Sequence, residues 1–200
     1  MQHLDLFSGI GGFALAARRV GWETVGFCET DEFCRRVIEK QFDRVRWVSL
    51  PGHHDGEPRQ RLGLEGDQEL AGLDPDWLVI ENASLRWQTW VPELRRLLWG
   101  RGYASLPIRV RASRLGAPHD RPRIYLVAHA DRDSEPLRAL DAEVARLCEA
   151  SGFWRDQPDP LGVDDGLSDR MDRLAALGNA IVPQCAELIF RGIEAVNGSR

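Results

Sequence analysis

Apolar positions along this chain follow two alternating rhythms. Short continuous apolar runs bounded by glycine or acidic residues read as strands, and stretches with apolar residues near helical spacing read as helices. Residues 4–7 predict a strand, a glycine-rich turn follows, and residues 12–20 predict a helix. A second strand over 24–29 ends in the acidic cluster Glu29, Asp31 and Glu32. The next helix, 33–42, spaces Phe33, Val37, Ile38 and Phe42 along one side. Residues 51–72 are rich in Gly, Pro and charge and read as loop. Trp77-Leu78-Val79-Ile80 has the unbroken apolar character of a buried parallel strand and ends at Glu81-Asn82.

A helix over 90–99 and strands over 105–111 and 124–128 follow. The segment 131–172 is acidic and irregular apart from a helix at 140–150, and an amphipathic helix over 184–196 closes the chain. This alternation predicts an α/β sheet with helices on both faces and no internal repeat.

In such a sheet, ligands sit at the C-terminal ends of the strands, where three polar features fall. Asp5-Leu6-Phe7-Ser8-Gly9-Ile10-Gly11-Gly12-Phe13 runs strand, glycine loop, helix. That order lets backbone N–H groups and a helix N-terminus approach a ligand closely. Glu29 follows the loop by about 20 residues, the usual place of a carboxylate that binds ribose hydroxyls. The pair predicts a nucleoside cofactor. No Gly-Lys-Ser/Thr follows the glycines, which disfavours a bound triphosphate.

Glu81 reads either as a strand-end carboxylate facing water or as a proton donor and acceptor on a pocket floor, its acidity weakened by the apolar strand. We favour the second, because Glu81 is expected to share a sheet edge with the cofactor loop. Arg121 and Arg123 alternate, so both can point to one face of an extended segment and clamp a phosphate or a base carbonyl.

Composition narrows the class. Two hundred residues, 43% of them hydrophobic, support one domain with room for a small appendage. No apolar run reaches membrane-spanning length, so no membrane is expected as a partner. The chain opens directly on its first strand, and no signal peptide is expected. Cys28, Cys34, Cys148 and Cys185 show no Cys-x-x-Cys spacing, which predicts neither a metal site nor a disulfide framework and fits a reducing cytoplasm.

The net charge is −5, yet nine arginines lie from Arg86 to Arg123 against only Glu93 and Asp120. That segment forms either a phosphate-binding face or a solvated helix and loop, and charge alone does not decide. Trp87, Trp90 and Trp99 lie in or near it; packing is their first expectation and base stacking the second.

These motifs resemble, in order and over nearly the whole chain, those of the cytosine-C5 DNA methyltransferases. The glycine loop is similar to the family's first motif. The resemblance implies that Asp5, Phe7, Ser8, Gly9, Gly11, Gly12 and Phe13 contribute to binding S-adenosylmethionine. Phe27-Cys28-Glu29-Thr30-Asp31 resembles the next motif, with Glu29 on the ribose and Thr30 beside it. Glu81-Asn82-Ala83 resembles the Glu-Asn-Val motif, whose Glu protonates N3 of a flipped cytosine.

Residues 116–123, Gly-Ala-Pro-His-Asp-Arg-Pro-Arg, resemble the Gln-x-Arg-x-Arg motif, with His119 in place of Gln. Residues 178–184, Gly-Asn-Ala-Ile-Val-Pro-Gln, resemble the closing motif and bring in Asn179 and Ala180 at the cofactor. The resemblance implies a Rossmann-like S-adenosylmethionine-dependent methyltransferase fold with a reduced target-recognition region. Its core is expected at 1–130, the reduced segment at 131–172, and a returning motif and helix at 173–200. DNA is the implied partner, through the arginines from Arg86 to Arg123.

One departure bears on the chemistry. The family's nucleophile is a cysteine thiolate on a Pro-Cys loop between the Glu29 and Glu81 motifs, and it adds to C6 of cytosine. This chain has no cysteine between Cys34 and Cys148, and the interval from Glu29 to Glu81 is short. The acidic residue that usually contacts adenine is also missing around Val48-Ser49-Leu50. The expectation is a non-catalytic or partner-dependent relative, with a protein partner supplying or regulating methyltransferase activity. The alternatives are altered chemistry on a nucleobase by Glu81, Asn82, Arg121 and Arg123, and a decayed prophage methyltransferase.

Overall fold

A computed structural model of the chain describes residues 1–48, 74–83, 87–130, 132, 134–150 and 180–198. It forms two compact units. One comprises Met1–Leu73 with Asp164–Pro183, the other Asp74–Val163 with Gln184–Arg200.

The first unit is built as β1 (Gln2–Leu6), α1 (Gly12–Arg19), β2 (Glu23–Cys28) and α2 (Glu32–Gln41). β1 and β2 pair in parallel, ending with Leu6 opposite Cys28. On the other edge of β2, Phe27 makes a parallel bridge to Trp47, held by Phe27 N donating to Arg46 O at 2.9 Å and Val48 N donating to Phe27 O at 2.8 Å. α1 buries only small residues, Gly12, Ala14, Ala16 and Ala17, a composition that permits close approach to the strands. α2 starts at Asp31, whose Oδ1 accepts from Cys34 N at 2.9 Å. It buries Phe33, Cys34, Val37 and Ile38 at helical spacing.

The second unit contains β3 (Trp77–Ala83), α3 (Trp87–Gly100), β4 (Ala104–Arg111), a 3-10 turn at Ala112–Leu115, β5 (Pro122–His129), α4 (Glu135–Glu149) and most of α5 (Pro183–Gly198). β5 lies between β3 and β4 and runs antiparallel to both. One face of this sheet packs Ile124, Leu126 and Ala128 against Val91 and Leu98 of α3 and against Tyr103. The alternate residues Tyr125 and Val127 are also fully buried. Gly192 of α5 lies against Leu140 and Val144 of α4.

Two expectations change here. Trp77–Ile80 forms a strand, but it pairs antiparallel rather than parallel. An unbroken apolar run carries no information on the partner's direction: Trp77–Ile80 is half-buried at the edge of the described sheet, whereas β5, paired on both sides, is buried from Ile124 to His129. The strands also form two sheets, β1-β2 and β3-β5-β4, and no strand among the described residues joins them. Among the described residues β1 and β3 belong to different sheets, and the glycine loop and Glu81 to different units. Smaller differences concern helix starts. α4 begins at Glu135 rather than 140, because Pro136 sits in the first turn, where its missing N–H and fixed φ suit a helix. The predicted loop 51–72 and most of 131–172 lie outside the described residues. Among those described, no helix is long and apolar enough to cross a membrane.

A Cβ at Gly192 would stand 2.6 Å from Leu140 Cδ1 and 3.1 Å from Val144 Cγ2. Gly192→Val should therefore destabilise the protein by about 1–3 kcal/mol, as overpacking of a close-packed core does. Denaturant unfolding measures it, and an unchanged midpoint would contradict the packing.

Candidate functional site

The glycine loop has an unusual backbone. Phe7, Gly9 and Gly11 all have positive φ, at 54°, 53° and 82°, and Phe7 is the one such non-glycine among the described residues. Left-handed backbone costs a side-chain-bearing residue about 1–2 kcal/mol, so surrounding bonds must hold Phe7 there. Ser8 does so. Its N–H donates to Cys28 O at 2.9 Å, and its hydroxyl donates to Asp5 O at 2.8 Å and lies 3.2 Å from Cys28 O. The phenyl ring of Phe7 is left 39% exposed. Gly11 is needed for a second reason: a Cβ there would come within 3.0 Å of Phe42. Among the described residues nothing lies within 4 Å of a Cβ added at Gly9, so they leave the loop open at that point.

Two carboxyl groups bracket the loop. Glu29, only 8% exposed, accepts Gly9 N on Oε2 at 2.7 Å, and Thr30 N and Asp31 N on Oε1 at 2.8 and 2.9 Å. It thereby ties the β1–α1 loop to the β2–α2 turn. Asp5 is buried beneath the loop, and its Oδ2 accepts Ala14 N at 3.1 Å. Burial raises its pKa to about 8, against the hydrogen bond from Ala14, with Glu29 adding to the rise. The closing motif reaches the same place: a Cβ on Gly12 would stand 3.0 Å from Ile181 O, so helix α1 starts directly against residue 181. Phe13 and Ala180 are half-buried, and Asn179 lies outside the described residues.

In the second unit Glu81 ends the apolar part of β3 directly opposite Tyr125 of β5. Residues opposite one another, and those two apart, share a face of an antiparallel pair, so Glu81, Arg123 and Tyr125 lie on one face. Arg123 Nε stands 2.8 Å from Glu81 Oε1, with the Glu81 side chain 9% exposed. Burial raises the Glu81 pKa to about 7, while Arg123 first and Arg121 second pull it down. The raised value means that desolvation outweighs both cations. Arg121 and Arg123 are thus brought to one carboxyl, in keeping with their alternation. Asn82 is exposed, with its Oδ1 accepting the N–H of Ala83 at 2.7 Å. The turn before β5 is clamped by Asp120, which accepts from Arg111 at 2.6 Å and from Ser113 Oγ at 3.0 Å.

Sequence reading missed two neighbours of Glu81. Tyr125 is fully buried, and Cys185 of α5 is within electrostatic reach of Tyr125, Glu81 and both arginines. Strand register and helix docking place them there, and no local motif signals either.

The thiols are poorly suited to nucleophilic work. Cys28, Cys34 and Cys185 are buried. Burial pushes the Cys185 thiol up to about 12 and raises that of Cys148 as well. A thiol with a pKa near 12 is about 10⁻⁵ thiolate at pH 7, and the thiolate is the reactive form.

Comparison with known proteins fits this geometry. No protein-family model matches the chain. The chain is 28% identical over 181 residues to the type II methyltransferase M2.BsuMI of Bacillus subtilis (strain 168), an alignment covering 68% of this chain and 44% of that protein. Its structure is similar to the Dnmt2 methyltransferase of S. pombe, with TM-score 0.51 and 18% identity over 68% of this chain and 52% of that one. It is also similar to a Spodoptera frugiperda DNMT2 mutant, with TM-score 0.56 and 20% identity over 66% and 50%.

The fold is therefore the Rossmann-like fold of S-adenosylmethionine-dependent methyltransferases. With its motifs, the chain resembles the cytosine-C5 DNA methyltransferases in shortened form, spanning about half the length of the relatives it matches.

Two measurements follow from these carboxyl groups. Folded Asp5 keeps a proton that the unfolded chain releases near 3.8, so stability should fall as pH rises towards about 8, by at most about 1.4 kcal/mol per pH unit. Glu81 acts in the same direction up to about 7, and His3, lowered to about 4 by burial, acts oppositely below its ordinary 6.5. Between pH 7 and 8 Asp5 is the group of these three still changing, and Asp5→Asn should flatten the thermal midpoint there; an unaltered slope would contradict a protonated Asp5. Separately, carboxyl NMR should find Glu81 titrating near pH 7, with Arg123→Met moving the midpoint higher.

Proposed function

We propose that this chain is a methyltransferase-fold protein that binds S-adenosylmethionine at its glycine loop and a cytosine of DNA at Glu81. It does not by itself methylate cytosine at C5. The observation that carries the reading is the Glu81 carboxyl: buried, with a pKa near 7, and paired with Arg123 at 2.8 Å. An acid of that strength exchanges its proton readily at neutral pH, the property needed to protonate a ring nitrogen. Arg121 and Arg123 keep the developing carboxylate stable as the proton leaves, and they orient it.

The loop residues suit the cofactor. Among the described residues the space at Gly9 leaves room for a ligand beside the loop, Glu29, which already accepts the Gly9 N–H, sets a carboxylate there for ribose hydroxyls, and Phe7 presents an exposed aromatic ring. Asp5 and Ser8 hold the loop's shape, and Gly11 and Gly12 allow its close packing. Thr30, Phe13, Asn179 and Ala180 complete the set expected there. When bound, S-adenosylmethionine supplies an electrophilic sulfonium methyl group. The nucleophilic half of the reaction is what this chain lacks: without thiolate addition at C6, cytosine C5 is too electron-poor to attack. A protein partner supplying or regulating the methyltransferase activity fits the retained binding and acid–base residues, with DNA approaching the arginines from Arg86 to Arg123.

Calorimetric titration tests the reading. The full chain should bind S-adenosylmethionine, and Glu29→Gln should weaken binding about tenfold, the loss of one hydrogen-bonding charge. With S-adenosylmethionine and cytosine-containing duplex, the chain alone should form no 5-methylcytosine. Absence of binding, or methylation at an ordinary enzymatic rate, would overturn the proposal.

A further inference from the structure

The outer face of α3 carries chemistry that neither the glycine loop nor Glu81 uses. The helix buries Val91 and Leu98, and its exposed positions include Arg95, Arg96 and Trp99. Trp99 is 55% exposed, more than any other large hydrophobic side chain among the described residues. Arg95 and Arg96 precede it by four and three positions, so on the helix surface both flank the indole. Both are exposed, and among the described residues neither has a hydrogen-bond or ion-pair partner. Arg132, arriving from the segment after β5, lays its guanidinium 5.1 Å from the centroid of the Trp99 ring, with NH2 3.4 Å from Trp99 O. Arg101 is exposed two residues beyond.

We propose that Trp99, Arg95, Arg96 and Arg132 form a docking surface for single-stranded nucleic acid, separate in role from the Glu81 site. The indole stacks an unpaired base, and the arginines neutralise the phosphates on either side. An exposed ring beside several guanidinium groups meets both needs of a strand: a π-face for any base and cations along its backbone. A duplex offers the charge but keeps its bases stacked, so it uses only half of this surface. Glu93 on the same helix limits the positive charge. Binding is therefore modest in strength and depends on stacking as well as on salt-sensitive contacts. The inference rests on the proposed function in one respect, that nucleic acid is the partner.

The test is fluorescence anisotropy of the full chain with a labelled 15-nucleotide single strand and with its duplex, across a range of salt. The single strand should bind more tightly. Trp99→Ala should weaken it about tenfold, while Trp99→Phe keeps most of the affinity. Replacing Arg95 and Arg96 with Gln should reduce the slope of log K against log salt by about 1.4, about 0.7 for each phosphate left without its cation. All three positions are solvent-facing, and unchanged thermal midpoints would show that the variants fold.

Wild-type-like binding by these variants overturns the inference, as does failure of the wild type to bind the strand. Equal competition by polyglutamate also overturns it and points to an acidic protein partner instead. Loss of binding in Glu81→Gln with these variants unaffected would leave the proposed function standing and remove only this surface. Failure to bind S-adenosylmethionine with the Trp99 effect intact would do the reverse.

Discussion

The Glu29 carboxylate is the tie on which the glycine loop depends. Its two oxygens accept three backbone N–H groups from two different turns, at 2.7 to 2.9 Å. Hydrogen bonds to a charged acceptor are roughly twice as strong as neutral ones, and here they fix a loop with three left-handed residues. Asp5 does related work from below, through the N–H of Ala14. The two carboxyl groups stand in different environments. Asp5 is sealed from water and holds its proton to about pH 8, which spares the loop a second buried negative charge beside Glu29. The loop is thus shaped by backbone bonds, and its one exposed apolar side chain, Phe7, is held in place by a conformation that it would not choose alone.

Glu81 shows the same physics turned to a different use. An ion pair at 2.8 Å would ordinarily hold a carboxyl well below its usual range. Here burial in β3 wins, and the group settles near neutrality. Such a pair adds little to stability, because desolvating both ions consumes most of their attraction. It yields an acid whose proton can be given up and regained at neutral pH. The cysteines lie at the other extreme, since burial that suits Glu81 to proton transfer makes the Cys185 thiol inert.

Much of this was legible in the sequence, and the divide follows the range of the interaction. The elements themselves, the glycine turn between β1 and α1 and the Arg121/Arg123 alternation beside Glu81 all rest on local pattern, and the structure has them. The direction of the Trp77–Ile80 strand was not legible, because an apolar run reads the same in either orientation. Nor could the pattern show the division of the strands into two sheets, which depends on which edges pair. Tyr125 and Cys185 meet Glu81 through register and helix docking, and Ile181 meets Gly12 from the far end of the chain; none leaves a signal in its neighbours. Asp5 reads as a cofactor residue by its motif, yet its side chain is spent on Ala14.

The distribution of what remains follows from how each function is built. The glycine loop is made of backbone conformation and N–H groups, held by one carboxylate on the next turn. The Glu81–Arg123 pair needs only facing positions on two adjacent strands and an arginine two residues along. Each lies within its own unit. On the proposed reading, covalent addition to a base would rest on a separate loop carrying one thiolate, physically independent of both. A shortened interval between Glu29 and Glu81 is therefore compatible with an intact glycine loop and a poised Glu81. The order of the motifs, the fold and the missing thiolate stop being in conflict once binding, protonation and nucleophilic attack are seen as physically separable parts.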